Sequence, residues 1–483
     1  MLENLTPKLV WQYFEEITKV PRPSKKEAKI LDYLKQFAKD HLLDYKQDEI
    51  GNIVIYAPAT HGYEGSESVI LQSHVDMVCE KDSTVDFDFE NDSIDVYIED
   101  GWVKARGTTL GADCGIGMAV AMALLTDKEI QHPPIEALFT VDEETGLTGA
   151  KELDFSMLSA KQLINLDSED EGELFVGCAG GIDTIGHFEL SYDTIKESST
   201  IVDIVISGLT GGHSGDDINK QRANGVVLMN RFLYENFNIF NINLIDIDAG
   251  ALRNAIPREA RVRISVDNKG VEYLSSYFEK FKKDIKNEYH RSEPDLNMTL
   301  KVVGTDSNFT VIDREVFLAV ITSIFTLPCG VMAMSQDVEG FVETSTNIAS
   351  VKIANKNIEV TTSQRSSVDS KKEYVAAIVS EVFEGCGAEV EQSDGYPGWT
   401  PNLSSQLLAI FKDKYLNLFG KEIEVKAVHA GLECGLFSEK ADELNMVSVG
   451  PTVRNAHSPQ EKLEIESVDK FWKLMVSVMQ GLK

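Results

Sequence analysis

Up to about residue 180 the chain alternates short apolar runs with helix-like segments, and this order restricts its fold more than any other feature. The runs are NIVIYA, SVILQS, IEALFTV and QLINL. Between the last three lie a glycine-rich loop with the apolar stretch GIGMAVAMALL and the segment TGLTGAKEL. Strands alternating with helices pack as a sheet with helices on its faces, so the spacing predicts an α/β domain. SKKE, Ser24 to Glu27, reads as a capping box opening a helix that carries Ile30, Leu31, Leu34 and Phe37. SIDVYIEDGWVKARG reads as a hairpin that turns at Asp100 and Gly101.

From about residue 183 to 392 the pattern becomes two successive groups of strands and helices, TIVDIVISGL to ARVRISV and MTLKVVG to EYVAAIVSEVFEG. Strands and a helix of the first kind resume with LLAIFKDKYLNLFG, EIEVKAVH and NMVSVGP. The expected organisation is a discontinuous metal-binding domain, 1–182 with 393–483, and an inserted α+β unit, 183–392, single or doubled. A length of 483 residues exceeds one ordinary core and suits that division.

The formal net charge of −32 argues against a nucleic-acid backbone or an anionic membrane surface as partner, because like charges repel and no basic cluster offsets them. GIGMAVAMALL is too short to cross a bilayer and reads as a buried helix. MLENLTPKLVWQYFEEI lacks a basic segment ahead of an apolar one and reads as mature protein. Six cysteines without a CxxC pair suggest reduced thiols and a cytoplasmic location.

Chemistry concentrates at the ends of the apolar runs. His74 and Asp76 stand two apart after Val69, Ile70 and Leu71, and in a strand such residues share a face, so the carboxylate can hold one ring nitrogen while the other points outward. Asp113 lies in GTTLGADCGIG, Glu143 and Glu144 follow IEALF in TVDEETG, Asp167 follows LINL, and His457 follows MVSVGPTVRNA. Taken singly, these have ordinary explanations as a helix N-cap, helix-dipole partners, a solvated acidic loop and a loop histidine facing water. Taken together, four of the five sites come directly after a buried strand, with Asp113 in a loop between strands, and the crevice beyond strand carboxyl ends is where open α/β sheets bind ligands. Two histidines and three carboxylates suit two divalent cations, one carboxylate bridging, which leaves the other member of the glutamate pair as a general base on water. GGHSG lacks the spacing of a nucleophile elbow, and nothing in sequence supplies Cys114 with a base.

SHVDMV, GTTLGADCGIGMA, TVDEETGLTGA, LINLDSED, GGHSGDDIN, RNAIPREA and HAGLECG together resemble the dinuclear-zinc exopeptidases, and within them the bacterial aminoacylhistidine (Xaa-His) dipeptidases, also called cytosol non-specific dipeptidases or carnosinases. The likeness runs over essentially the whole chain. It implies a mixed-sheet catalytic domain with an inserted α+β lid, and hydrolysis of unblocked dipeptides, Xaa-His and β-Ala-His among them. It implies His74 and Asp167 on one zinc, Glu144 and His457 on the other, Asp113 bridging, Asp76 orienting His74 and Glu143 as general base. Cobalt or manganese are the expected substitutes for zinc. His213, Asn254 and Arg365 are implied at the scissile carbonyl or the substrate carboxylate, and Gly431 and Glu433 near the site, Glu433 for the free amine. An Asp at 167 goes in that family with aminopeptidases and dipeptidases. The position after the bridging aspartate, commonly Asn or Asp there, is Cys114 here. A deacylase or tripeptidase of the same family and a catalytically silent peptide-binding protein are the alternatives. A homodimer is usual among such relatives, and a doubled lid could replace a partner's contribution.

Overall fold

The computed structural model describes residues 2–441 and 443–483, which divide into two compact units. The first comprises 1–177, 399–427 and 432–483, and the second 178–398 with 428–431.

The first unit is built on a mixed eight-stranded sheet, ordered Asp44–Gln47, Ile53–Ala57, Ile135–Thr140, Val69–His74, Gln162–Asn165, Asn445–Ser448, Glu173–Cys178 and Glu424–Val428. Its four central strands are parallel, with Leu71 level with Ala137 on one side and Ile164 on the other. VILQSH and IEALFT are buried at every position, as strands covered on both faces must be. One cover is the helix Ala112–Thr126, which is apolar all round because it is buried all round. Gly117 lets it approach the sheet: a Cβ there would lie 2.7 Å from the Leu166 carbonyl oxygen.

The hairpin forms as the sequence predicts, with Asp100 and Gly101 both at positive φ between Val96–Glu99 and Trp102–Ala105. The capping box does not form. The helix begins at Ala28 after Glu27, with no side-chain cap. Ser24 donates to Asp76 Oδ2 (2.8 Å), and Glu27 Oε1 accepts the N–H groups of Lys25 (2.7 Å) and Asp142 (3.1 Å). Asp76 and Asp142, distant in sequence, engage the two side chains that the local cap would use.

In the second unit nine strands form one sheet whose pairings are antiparallel. The two strand groups of the sequence join where Asp248, Ala249 and Gly250 pair with Lys352, Val351 and Ser350. Helices Gly225–Asn236, Val271–Glu288 and Arg314–Thr326 pack over a core that includes Phe232, Phe237, Phe278, Phe281 and Phe317. No helix among the described residues is long and apolar enough to cross a membrane.

Candidate metal centre

Parallel strands end level, so the residues just beyond each strand meet at a common edge. His74 is the last residue of its strand and pairs with Thr140, while Gln72 pairs with Asn165. Beyond Thr140 the chain turns through Asp142, at positive φ, into the short helix Glu143–Gly146, and Asp167 stands two residues past Asn165. Asp113 comes from the first turn of Ala112–Thr126. His457 arrives differently from the sequence expectation: its buried strand ends at Ser448, and the bridge Val453–Arg454 and a turn intervene.

These side chains form two linked triads. His74 Nε2 lies 3.1 Å from Asp113 Oδ1 and 3.3 Å from Asp167 Oδ1. His457 Nε2 lies 3.1 Å from both Asp113 Oδ2 and Glu144 Oε2. Ligands about 2.0–2.1 Å from a tetrahedral ion stand about 3.3 Å apart, so the histidine–carboxylate distances in each triad are those of two ligands on one ion, and Asp113 gives one oxygen to each triad. Glu144 Oε1 is buried without a hydrogen-bond partner, and Asp167 Oδ1 has none beyond its approach to His74. Imidazole and carboxylate donors, an orphaned oxygen and three negative charges all fit two divalent cations.

The electrostatics agree. Burial alone would lower the His74 pKa, but Asp167 and Asp113 hold it well above its ordinary value. Hydrogen bonds to Asp113 and Glu144 raise His457 to about 11. Burial lifts Glu143 well above the carboxylate range, Asp167 to about 6 and Glu169 to about 8. The cluster retains positive charge on its imidazoles and resists further negative charge, the behaviour of a site matched to cations.

A surrounding layer fixes these groups. Asp76 Oδ1 lies 3.3 Å from His74 Nδ1, and the same carboxylate accepts the N–H groups of Glu143 (3.0 Å) and Glu144 (3.2 Å). Burial would raise Asp76, but His74 and these donors keep it at about 2. Two residues escaped the sequence reading. The Glu461 carboxylate accepts the backbone N–H groups of Leu110, Gly111, Ala112 and Asp113 at 2.7–3.3 Å, and buried Arg22 donates to the carbonyls of Val75, Asp76 and Gly111. Nothing local marks either one, since their partners lie 53 to 351 residues away. The Cys114 thiol donates to the Leu166 carbonyl (3.4 Å), and burial raises its pKa well above the ordinary range, which suits no nucleophile. Glu433 opens the helix Glu433–Lys440 and is 1% exposed; its Oε2 accepts from Gln72 (2.6 Å) and Thr140 (3.1 Å), and burial raises its pKa to about 7.

The other candidates lie in the second unit. His213 Nδ1 accepts the N–H groups of Gly215 (3.3 Å) and Asp216 (3.2 Å), which places its proton on Nε2; burial and Arg365 lower its pKa. Asn254 and Arg365 line one cavity of about 420 Å³. Gly431 lies against the ring of Tyr396.

The sequence model of peptidase family M20/M25/M40 matches residues 70–481. The chain belongs to this family. It is 39% identical over 482 residues to the cytosol non-specific dipeptidase of Escherichia coli (strain K12), a match covering 100% of this chain and 99% of the relative. Its structure is similar to that of aminoacylhistidine dipeptidase from Vibrio alginolyticus, with a TM-score of 0.94 and 40% identity over 100% of this chain and 98% of that one. Aminopeptidase PepT from Bacillus cereus shares the fold at a TM-score of 0.62 and 19% identity, covering 99% of both chains. All members of the candidate site in this M20/M25/M40 peptidase, from His74 to His457, fall within the matched segment.

Proposed function

We propose that this M20/M25/M40 peptidase is a two-metal dipeptidase that cleaves unblocked dipeptides, Xaa-His among them, in the cytoplasm. The observation that carries the reading is Asp113, whose two carboxylate oxygens each face a different histidine, in a chain related along its full length to dipeptidases. We assign His74 and Asp167 to one ion, Glu144 and His457 to the other, and Asp113 to both, with zinc as the native ion and cobalt or manganese as substitutes. When bound, two such ions polarise the scissile carbonyl and lower the pKa of water.

The chain supplies the rest. Glu143, made basic by burial, takes a proton from the attacking water and returns it to the leaving amine. Asp76 fixes the His74 ring and, through two backbone N–H bonds, the helix that carries both glutamates. In the second unit, the proposed recognition lid, the His213 Nε2–H donates to the carbonyl oxygen as negative charge develops there. Arg365 takes the free carboxylate, for which its planar fork is suited, and Asn254 shares its cavity. We assign Glu433 to the free amine: its Oε2 is held by Gln72 and Thr140, while its Oε1 has no hydrogen-bond partner. Gly431, against the Tyr396 ring, is assigned to substrate binding with it.

The test is hydrolysis of a dipeptide panel by metal-stripped protein reloaded with zinc, cobalt or manganese, beside N-acetylated and C-amidated forms. Metal-restored cleavage that strongly favours unblocked dipeptides over both blocked forms is expected. Cleavage of acylated substrates would replace the reading by a deacylase, and binding without turnover under any metal by a silent binder.

A further inference from the structure

Arg365 is 6% exposed, yet no carboxylate among the described residues pairs with it. Its Nη1 donates to the Tyr396 hydroxyl at 2.9 Å, and its Nε is buried without a partner. Taking a guanidinium out of water is costly unless an anion accompanies it. A phenol holds the group in place without neutralising it, so the positive charge stays available to an anion entering the cavity, which Asn254 and Ser363 line together with Asp394 and with Asp183, the last paired with Arg253 at 3.0 Å.

Tyr396 is itself held on several sides. Its backbone bridges Gly181 in both directions (2.8 and 3.0 Å), and Lys372 Nζ donates to its carbonyl oxygen at 2.8 Å. Its ring lies between two glycines: a Cβ on Gly181 would stand 2.7 Å from Tyr396 Cζ, and one on Gly431 2.8 Å from Cε2. Cβ atoms do not approach other atoms so closely, so the seat requires glycine on both sides. Burial raises the Tyr396 pKa, and the hydroxyl, having accepted from Arg365, retains a proton to donate.

We propose that Tyr396 is the positioning residue that sets Arg365 for the substrate's C-terminal carboxylate, with Gly181 and Gly431 shaped around its ring. The proposal rests on the assignment of Arg365 to that carboxylate made above.

Steady-state kinetics of the metal-loaded enzyme on one dipeptide and its C-amidated form tests both statements, using wild type, Tyr396→Phe, Gly431→Ala and Arg365→Gln. Tyr396→Phe and Gly431→Ala are each expected to raise KM for the free dipeptide about tenfold, with kcat within about threefold and a much smaller effect on the amide. The preference for a free carboxylate then falls about tenfold. A parallel loss on both substrates in Tyr396→Phe would mark a structural role only, and an unchanged preference would equally overturn the proposal. If Arg365→Gln loses the preference and Tyr396→Phe keeps it, Tyr396 alone is removed. If Arg365→Gln keeps it, the carboxylate assignment fails and the positioning role with it.

Discussion

Asp113 shows how one residue acquires a role from its neighbours. Both its oxygens are engaged by imidazoles, and its backbone N–H is held with three others by Glu461. Replacing Glu461 by Gln presents an amide to a ring of donors. The expected result is a loss of about 1–3 kcal/mol in stability and a 10–100-fold weaker metal affinity, read by thermal melting and metal titration. Glu143 makes the opposite prediction, because the proposal gives it a proton to carry and no ion to hold. Glu143→Ala should retain close to two zinc ions per chain while turnover falls about 10²–10⁴-fold. Metal analysis beside steady-state rates checks this, and retained turnover would remove Glu143 from its role.

At the scale of elements, the site depends on how closely one helix lies on one sheet edge. Ala112–Thr126 carries Asp113 at its start and Gly117 one turn later, where a side chain would meet the Leu166 carbonyl. Leu166 immediately precedes Asp167, so displacing either partner separates two of the proposed ligands, Asp113 and Asp167. Gly117→Ala should therefore destabilise by about 1–3 kcal/mol and weaken metal binding as well. Gly65→Ala, with nothing within 4 Å, should change stability by less than about 0.5 kcal/mol. Urea titration of the two variants compares them directly. The alternation of strands and the hairpin at Asp100 and Gly101 were legible because apolar periodicity and turn chemistry are local. The cap expected at Ser24 does not form because that residue's partner, Asp76, lies 52 positions away.

For the molecule as a whole, the site's charge makes stability depend on pH and metal together. Without a cation, burial places Asp167 at about 6, Glu433 at about 7 and Glu169 at about 8, against ordinary values of 3.8, 4.5 and 4.5. A carboxyl whose folded pKa is raised binds its proton more tightly in the folded state, so stability falls as pH rises from its ordinary value through the folded one. His457, raised from 6.5 to about 11, acts in the same direction: its contribution is complete below 6.5 and is lost as pH rises through 11. Asp76, held at about 2, opposes them only below about pH 4. Chelator-treated protein should melt at a lower temperature at pH 8.5 than at pH 5.5, whereas zinc, favouring charged carboxylates and neutral imidazoles, should remove or reverse that slope. Calorimetry at the two pH values decides it, and a chelated protein that gains stability between them would show that the carboxyls are not protonated.

Sequence alone determined the α/β order of the first segment, the positions of His74, Asp113, Glu143, Glu144, Asp167 and His457, and the residue types that point to cations, because strand ends, donor chemistry and motif spacing are written along the chain. Tertiary structure decided which of these groups face one another. It brought His457 to Asp113 across 344 positions, set Glu461 and Arg22 beneath the site, and seated Tyr396 between Gly181 and Gly431. No periodicity encodes such contacts. They arise only when the folded chain brings strand ends and loops together and glycines let them close to within a side chain's width.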